Sequence, residues 1–144
     1  MSDQGVLARL RTFLLLLAAG LSAGALVELW AAEHTEEPIQ WLPFILCGLS
    51  LAATLAALLR PQRGVLLALR GIMALMVLGS LLGVYEHVAG NIGFAQEIRP
   101  STAGFDLLLA GLTGANPLLA PGMLAVAALV ALAATYYHPA LGRS

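Results

Sequence analysis

Carboxylates and imidazoles gather in two places along the chain, Glu28, Glu33 and His34 in one and Glu86 and His87 in the other, with Glu97 and Asp106 nearby in the longest connection. Carboxylate oxygens and neutral imidazole nitrogens together suit zinc, manganese or another divalent cation. Glu28, Glu33, His34, Glu86 and His87 are therefore the candidate metal ligands. The same groups also cap helices, meet water and hydrogen-bond one membrane helix to the next, so a purely structural rim is the competing reading. His138, between Tyr137 and Pro139, reads as a helix-end group that compensates a dipole.

Other chemistries lack their residues. A single cysteine, Cys47, excludes a disulfide framework, a CxxC redox pair, a thiolate zinc cluster and the cysteine pairs of quinone-coupled disulfide enzymes. There is no Gly-x-Ser-x-Gly elbow and no His-Glu-x-x-His helix, and Ser22 and Ser80 have no His or Asp at one-turn spacing. Axial haem ligation needs two histidines facing each other at one depth, which His34, His87 and His138 do not offer. No catalytic residue is expected, and no cofactor apart from a divalent ion held by the rim.

The elements that must position these groups follow from composition. Of 144 residues 60% are hydrophobic and 10% charged, against roughly 25% charged in soluble domains, so the chain cannot cover a globular surface with polar groups. Seven arginines, no lysine and eight acids give a net charge of -1, which argues against a nucleic-acid partner. The lipid bilayer is the expected surroundings. A hydrocarbon core needs about 20 apolar residues of helix per crossing, and four stretches approach that: Thr12 to Ala32, Ile39 to Leu59, Val65 to Val88 and Pro117 to Tyr137. The first also imitates a secretory signal, with Arg9 and Arg11 before a Leu-rich run and Ala23-Gly24-Ala25 as a small-x-small site. Its apolar run continues through Leu29 to Ala32, so an uncleaved anchor is expected.

Arginines near span ends stay on the cytoplasmic side. Arg9, Arg11, Arg60, Arg63, Arg70 and Arg143 fall on one side and Arg99 alone on the other, which puts both termini in the cytoplasm of a plasma (inner) membrane protein. All the acids except Asp3 lie on the outer side. Trp30, Trp41 and Tyr85 fit an outer aromatic belt, and Tyr136 with Tyr137 an inner one. Arg70, one turn inside the third span, and Arg11, just before the first, are expected to anchor at the lipid headgroups.

An internal repeat runs through the chain. Gly5-Val6-Leu7-Ala8-Arg9-Leu10-Arg11 is echoed by Gly64-Val65-Leu66-Leu67-Ala68-Leu69-Arg70, and the same register pairs Gly20 with Gly79, Gly24 with Gly83 and Glu28 with His87. Spans two and four align more weakly, Pro43 on Pro121, Leu46 on Leu124, Ala53 on Ala131 and Pro61 on Pro139. The fold expected is an all-α, four-transmembrane-helix bundle forming a single domain over 1–144. It is built from two duplicated hairpins of one orientation (about 6–60 and 64–138), related by an axis along the membrane normal. The outer connection at 89–116 is expected to hold a short interfacial helix over 102–113, capped by Ser101 or Thr102. Asn116 and Pro117 read as cap and first residue of span four, with a kink at Pro121-Gly122.

Small residues bring membrane helices together because lipid is as apolar as leucine. Gly20 and Gly24 in span one, and Gly79 and Gly83 in span three, are thus the expected packing stripes, with Gly48, Ala52 and Ala56 at the same spacing in span two. If the two GxxxG stripes meet, Glu28 and His87 approach each other near the outer boundary with Glu86 beside them. The function this supports first is a non-catalytic membrane protein that works by helix association, as an accessory subunit or with further copies of itself. The alternative is a small transporter or divalent-ion-binding protein using the outer Glu/His rim.

Overall fold

A computed structural model describes residues 2–142, all helix and connections, with no strand among them. Arg143 and Ser144 lie outside the described residues, so the inner position expected for Arg143 has no structural counterpart here. Five α-helices follow one another: α1 Asp3–Ala31, α2 Trp41–Leu59, α3 Arg63–Ile98, α4 Gly104–Thr113 and α5 Leu119–Ala134. A 3-10 turn, Pro38–Gln40, runs directly into α2, and a second, Pro139–Leu141, follows α5. Three helical segments, Asp3–Ala31, Pro38–Leu59 and Arg63–Ile98, are long and apolar enough to cross a membrane. With 16 residues, α5 is shorter.

Four of the helices pack in a ring, α1 against α2, α2 against α3, α3 against α5 and α5 against α1. The diagonal pair α1 and α3 do not approach, and α2 barely meets α5. The buried seams recur at alternating steps of three and four: Cys47, Ser50, Thr54 and Ala57 on α2, Leu66, Leu69, Met73, Met76 and Ser80 on α3, and Pro121, Leu124, Ala128 and Ala131 on α5. That spacing keeps one face turned to its neighbours when helices cross at shallow angles. Small side chains carry much of it; Ala127, Ala128, Ala131 and Ala134 let α5 lie close to both α1 and α3.

Hydrogen bonds join the seams. Ser22 Oγ on α1 and Ser50 Oγ on α2 are 2.8 Å apart in full burial, and Ser80 Oγ on α3 donates to Pro121 O at 2.6 Å. Thr54 Oγ1 is buried with no partner among the described residues. A buried hydroxyl without a partner carries its desolvation cost uncompensated. Thr54→Val keeps the shape and removes that hydroxyl, so it should raise stability by about 1 kcal/mol, read as an upward shift of the melting midpoint in detergent.

Several expectations from the sequence are corrected. Gly20 and Gly24 face outward with open space where a Cβ would stand, and the same is true of Gly48. The buried face of α1 is instead Leu15, Ala18, Ala19 and Ser22, and Gly24 lies about 180° around from Leu15 at 100° per residue. Gly79 and Gly83 do pack, but against Leu46 of α2 and Pro121 of α5, not against α1. Arg11 and Arg70 do not reach for headgroups. Both converge on the residues just past α5, where Arg11 Nη2 donates to Tyr137 O at 2.9 Å and Arg70 Nε to Thr135 Oγ1 at 2.9 Å. Free carbonyls at a helix C-terminus carry partial negative charge and draw cations there.

The third helix continues ten residues past Val88, so its 36 residues make a rod about 54 Å long at 1.5 Å per residue. The connection expected at 89–116 is therefore mostly helix. The short helix α4 folds back along the end of α3, and its N-cap is Ala103, not Ser101 or Thr102. Leu118 is the N-cap of α5, which leaves Asn116 and Pro117 outside that helix. Pro121 sits in the first turn of α5, where its missing N–H breaks no helical bond.

Candidate functional site

At the end of the ring where Trp30, Trp41 and Tyr85 are exposed, the helices part around a cavity of about 580 Å³. The separation follows from the local sequence. The diagonal helices keep their distance, α3 presents Gly79, Gly83 and Gly90 in place of side chains, and α1 and α5 present Ala25 and Ala120. Leu46 and Leu124, both buried, close the apolar depth of the cavity, and Pro43 and Pro121 stand on opposite sides. The carboxylates and imidazoles come from three elements, Glu28 on α1, His34 and Glu37 in the turn after it, and Glu86 with His87 on α3, and Gln40 and Asn116 add side-chain amides.

Four of the five candidate ligands thus share one cavity. Glu33 does not line it. Its backbone adopts φ 51° because it takes the left-handed position after α1, with His34 N donating to Leu29 O at 3.1 Å and Glu33 N to Trp30 O at 3.1 Å. The expected Glu28 to His87 hydrogen bond is not formed, since these residues sit on helices at opposite corners of the ring. His87 Nδ1 donates instead to Pro117 O at 2.9 Å. A carbonyl only accepts, so neutral His87 carries its proton on Nδ1 and leaves Nε2 as an acceptor. Among the described residues no three His, Cys, Asp or Glu side chains come close enough together to hold a metal ion.

Asn91, without a signal in the sequence, holds the mouth in shape. It is 2% exposed, donates from Nδ2 to Gly111 O and Asn116 O, each at 3.0 Å, and accepts from Asn116 N at 2.8 Å. One side chain ties α3 to the end of α4 and to the segment that enters α5. Gly114 lies so close to this side chain that a Cβ there would strike it. Gln40 does a similar service on the other side, accepting from Glu36 N at 2.7 Å and Glu37 N at 3.1 Å.

No protein-family model, curated protein or solved structure matches this chain. The functional reading therefore rests on its own geometry.

At the far end of the bundle His138 is a cap, but of the 3-10 turn that follows, accepting from Ala140 N at 3.1 Å through Nδ1. Burial, and secondarily the charge of Arg11, hold its pKa below the ordinary 6.5. A histidine with a lowered folded pKa contributes stability above its unfolded value, and that contribution is lost as pH falls through the folded one. Melting midpoints measured from pH 7.5 to 5 should fall more steeply for the native protein than for His138→Asn, which caps without titrating in this range. Parallel slopes would remove His138 from the acid response.

Proposed function

We propose that the chain is a non-catalytic protein of the cell membrane, crossing it four times with both termini in the cytoplasm, and that it binds a small molecule in the cavity between its helices from the outer side. The observation that carries this reading is the cavity itself. Its volume of about 580 Å³ falls in the range of sites for small ligands, and it combines apolar walls with a few converging polar groups, as such sites do. A small transporter or a ligand-binding membrane protein uses a site of this kind.

The four-span topology is supported by α5, which lies between α1 and α3 and is followed by Thr135 and Tyr137, whose carbonyls are held by Arg70 and Arg11. Duplication is supported by the ring order, which a two-fold axis along the bundle would produce, and by Leu46 with Leu124 and Ser50 with Ala128, buried alike at matching positions. The first and third helices do not keep that equivalence, because Ser22 is buried while Leu81, its match in register, is 60% exposed. The outward face of α4, with Phe105, Leu108, Leu109 and Leu112 exposed one turn apart, suits a helix lying at the outer interface.

The test is ligand-dependent melting in detergent against anionic, neutral and cationic amphiphiles. A ligand at a hundred times its Kd stabilises by about 2.7 kcal/mol, so at least one class should raise the midpoint by several degrees. Ala120→Trp, which fills the cavity, should abolish the shift. No shift with any class would overturn the reading. Reporter fusions after Glu37 and Glu97 should read outside, and after Arg63 and Ser144 inside; an outer C-terminus would overturn the topology.

A second reading, association with further membrane subunits or copies of itself, is favoured by the open space over Gly20 and Gly24. Gly24→Ile should then lower the oligomeric mass in mild detergent without unfolding the protomer.

A further inference from the structure

We propose that the occupant of the cavity is a lipophilic cation, an amine or onium head carried on an apolar body. This rests on the cavity being a binding site and names the chemistry that site selects. Glu28, Glu37 and Glu86 line it with three carboxylates, and no arginine lines it at all. His87 adds an acceptor, because its Nδ1 proton is already committed to Pro117 O. Pro43, Pro117 and Pro121 line it without a backbone N–H. Gln40 and Asn116 add uncharged side-chain amides, the Gln40 carbonyl oxygen being taken by the backbone of Glu36 and Glu37. The site therefore carries negative charge without positive charge at its mouth and is apolar at Leu46 and Leu124 in its depth.

That division selects among ligands. An anion would meet three carboxylates with no counter-charge, and a strongly hydrated inorganic cation would gain nothing from the leucines while losing its water. A divalent ion also lacks three converging ligands among the described residues. An apolar cation satisfies both ends at once: the acceptors take the charge and the leucine floor takes the hydrocarbon. Carboxylates from α1, from the turn after it and from α3 would surround the head without any one of them being buried as an unpaired charge. No titratable group enters from α2 or α5.

The experiment uses the full chain in nanodiscs of zwitterionic lipid and three probes of related shape: tetraphenylphosphonium, tetraphenylborate and neutral triphenylphosphine oxide. The cation should bind and raise the melting midpoint, and the anion should do neither. Glu28→Gln and Glu86→Gln, both isosteric changes at exposed positions, should each weaken the cation about tenfold, equivalent to 1.4 kcal/mol. Equal binding of all three probes, unaffected by either substitution, would overturn the cation inference while leaving the cavity as a binding site. Absence of binding by every probe, with Ala120→Trp indistinguishable from the native chain, would overturn both. Stabilisation by zinc or manganese that disappears in Glu28→Gln, with no response to the phosphonium, would overturn the inference in favour of a metal site.

Discussion

Asn91→Leu is expected to lower the melting midpoint in detergent by roughly 6 to 12 °C, among the largest effects of any single substitution at the cavity end of the bundle. The side chain is nearly fully buried and makes three hydrogen bonds, two to carbonyls and one from a backbone N–H. Leucine has the same branched outline but is bulkier and strands all three partners, and a buried polar group left without one costs about 1–3 kcal/mol. A net loss of about 3 kcal/mol, at 2–4 °C per kcal/mol for a chain of this size, yields that range. Asn116→Ala separates the network from the position, because Asn116 takes part in these bonds through its backbone alone. It should stay within about 2 °C of the native midpoint. Equal losses in both variants would mean that the contacts of the 116 side chain, not Asn91, hold the segment.

Gly83→Ile is the second large effect. A Cβ at Gly83 would stand 2.9 Å from Pro121 Cβ, inside van der Waals contact, and a proline ring in the first turn of α5 cannot rotate away. Forcing extra carbon into a packed interface typically costs 1–3 kcal/mol, and here it also presses on the bond from Ser80 to Pro121 O. Gly79→Ile should be milder, since the atom in its way is the end of the Leu46 side chain, which can change rotamer. Gly24→Ile should leave the protomer's midpoint unchanged. The predicted order is Gly83, then Gly79, then Gly24, and a destabilised Gly24→Ile protomer would contradict the assignment of α1's inner face.

The difference between Gly24 and Gly83 explains what could be read in the sequence. Apolar length located the three long helices to within two residues at four of their six ends, missing the first nine residues of α1 and the last ten of α3. Which face of α1 turns inward was not legible from hydrophobicity, because lipid and core are equally apolar and a buried face gains no hydrophobic excess. The true seam uses Ser22, Ser50 and Ser80, whose hydroxyls find partners only inside the bundle. One such serine on each of the three long helices is the signal that distinguishes the inner face. The extension of α3 beyond Val88 was hidden by Gly90, Asn91 and Gly93, residues that ordinarily mark a loop; here Gly90 makes room for the Asn116 side chain and Asn91 holds the Asn116 backbone.

The rim was legible as chemistry but not as geometry. Glu28, His34, Glu86 and His87 do come to one cavity, because antiparallel helices bring the end of α1 and the later half of α3 to the same end of the bundle. The direct pairing of Glu28 with His87 failed because it assumed that the two glycine stripes meet. A ring that places α1 and α3 on a diagonal separates those residues and leaves space between them. Arg11 and Arg70 show the same limit, since a long basic side chain near a span end reads as a lipid anchor until the carbonyls of Thr135 and Tyr137 are found within its reach.

The most direct test of the central claim, a cavity open to the outer side between membrane-spanning helices, is thiol accessibility in intact cells. Cys47 is the chain's single cysteine and is buried, so Cys47→Ala supplies a silent background. Ala120→Cys places a thiol in the cavity, and Leu129→Cys places one on the outward face of the same helix, at a residue 58% exposed along the apolar stretch. A membrane-impermeant maleimide added from outside should label Ala120→Cys without opening the cells, tetraphenylphosphonium should slow that labelling, and Leu129→Cys should react only after denaturation. Labelling of Ala120→Cys that requires opened cells, or that occurs only after denaturation, would contradict the account.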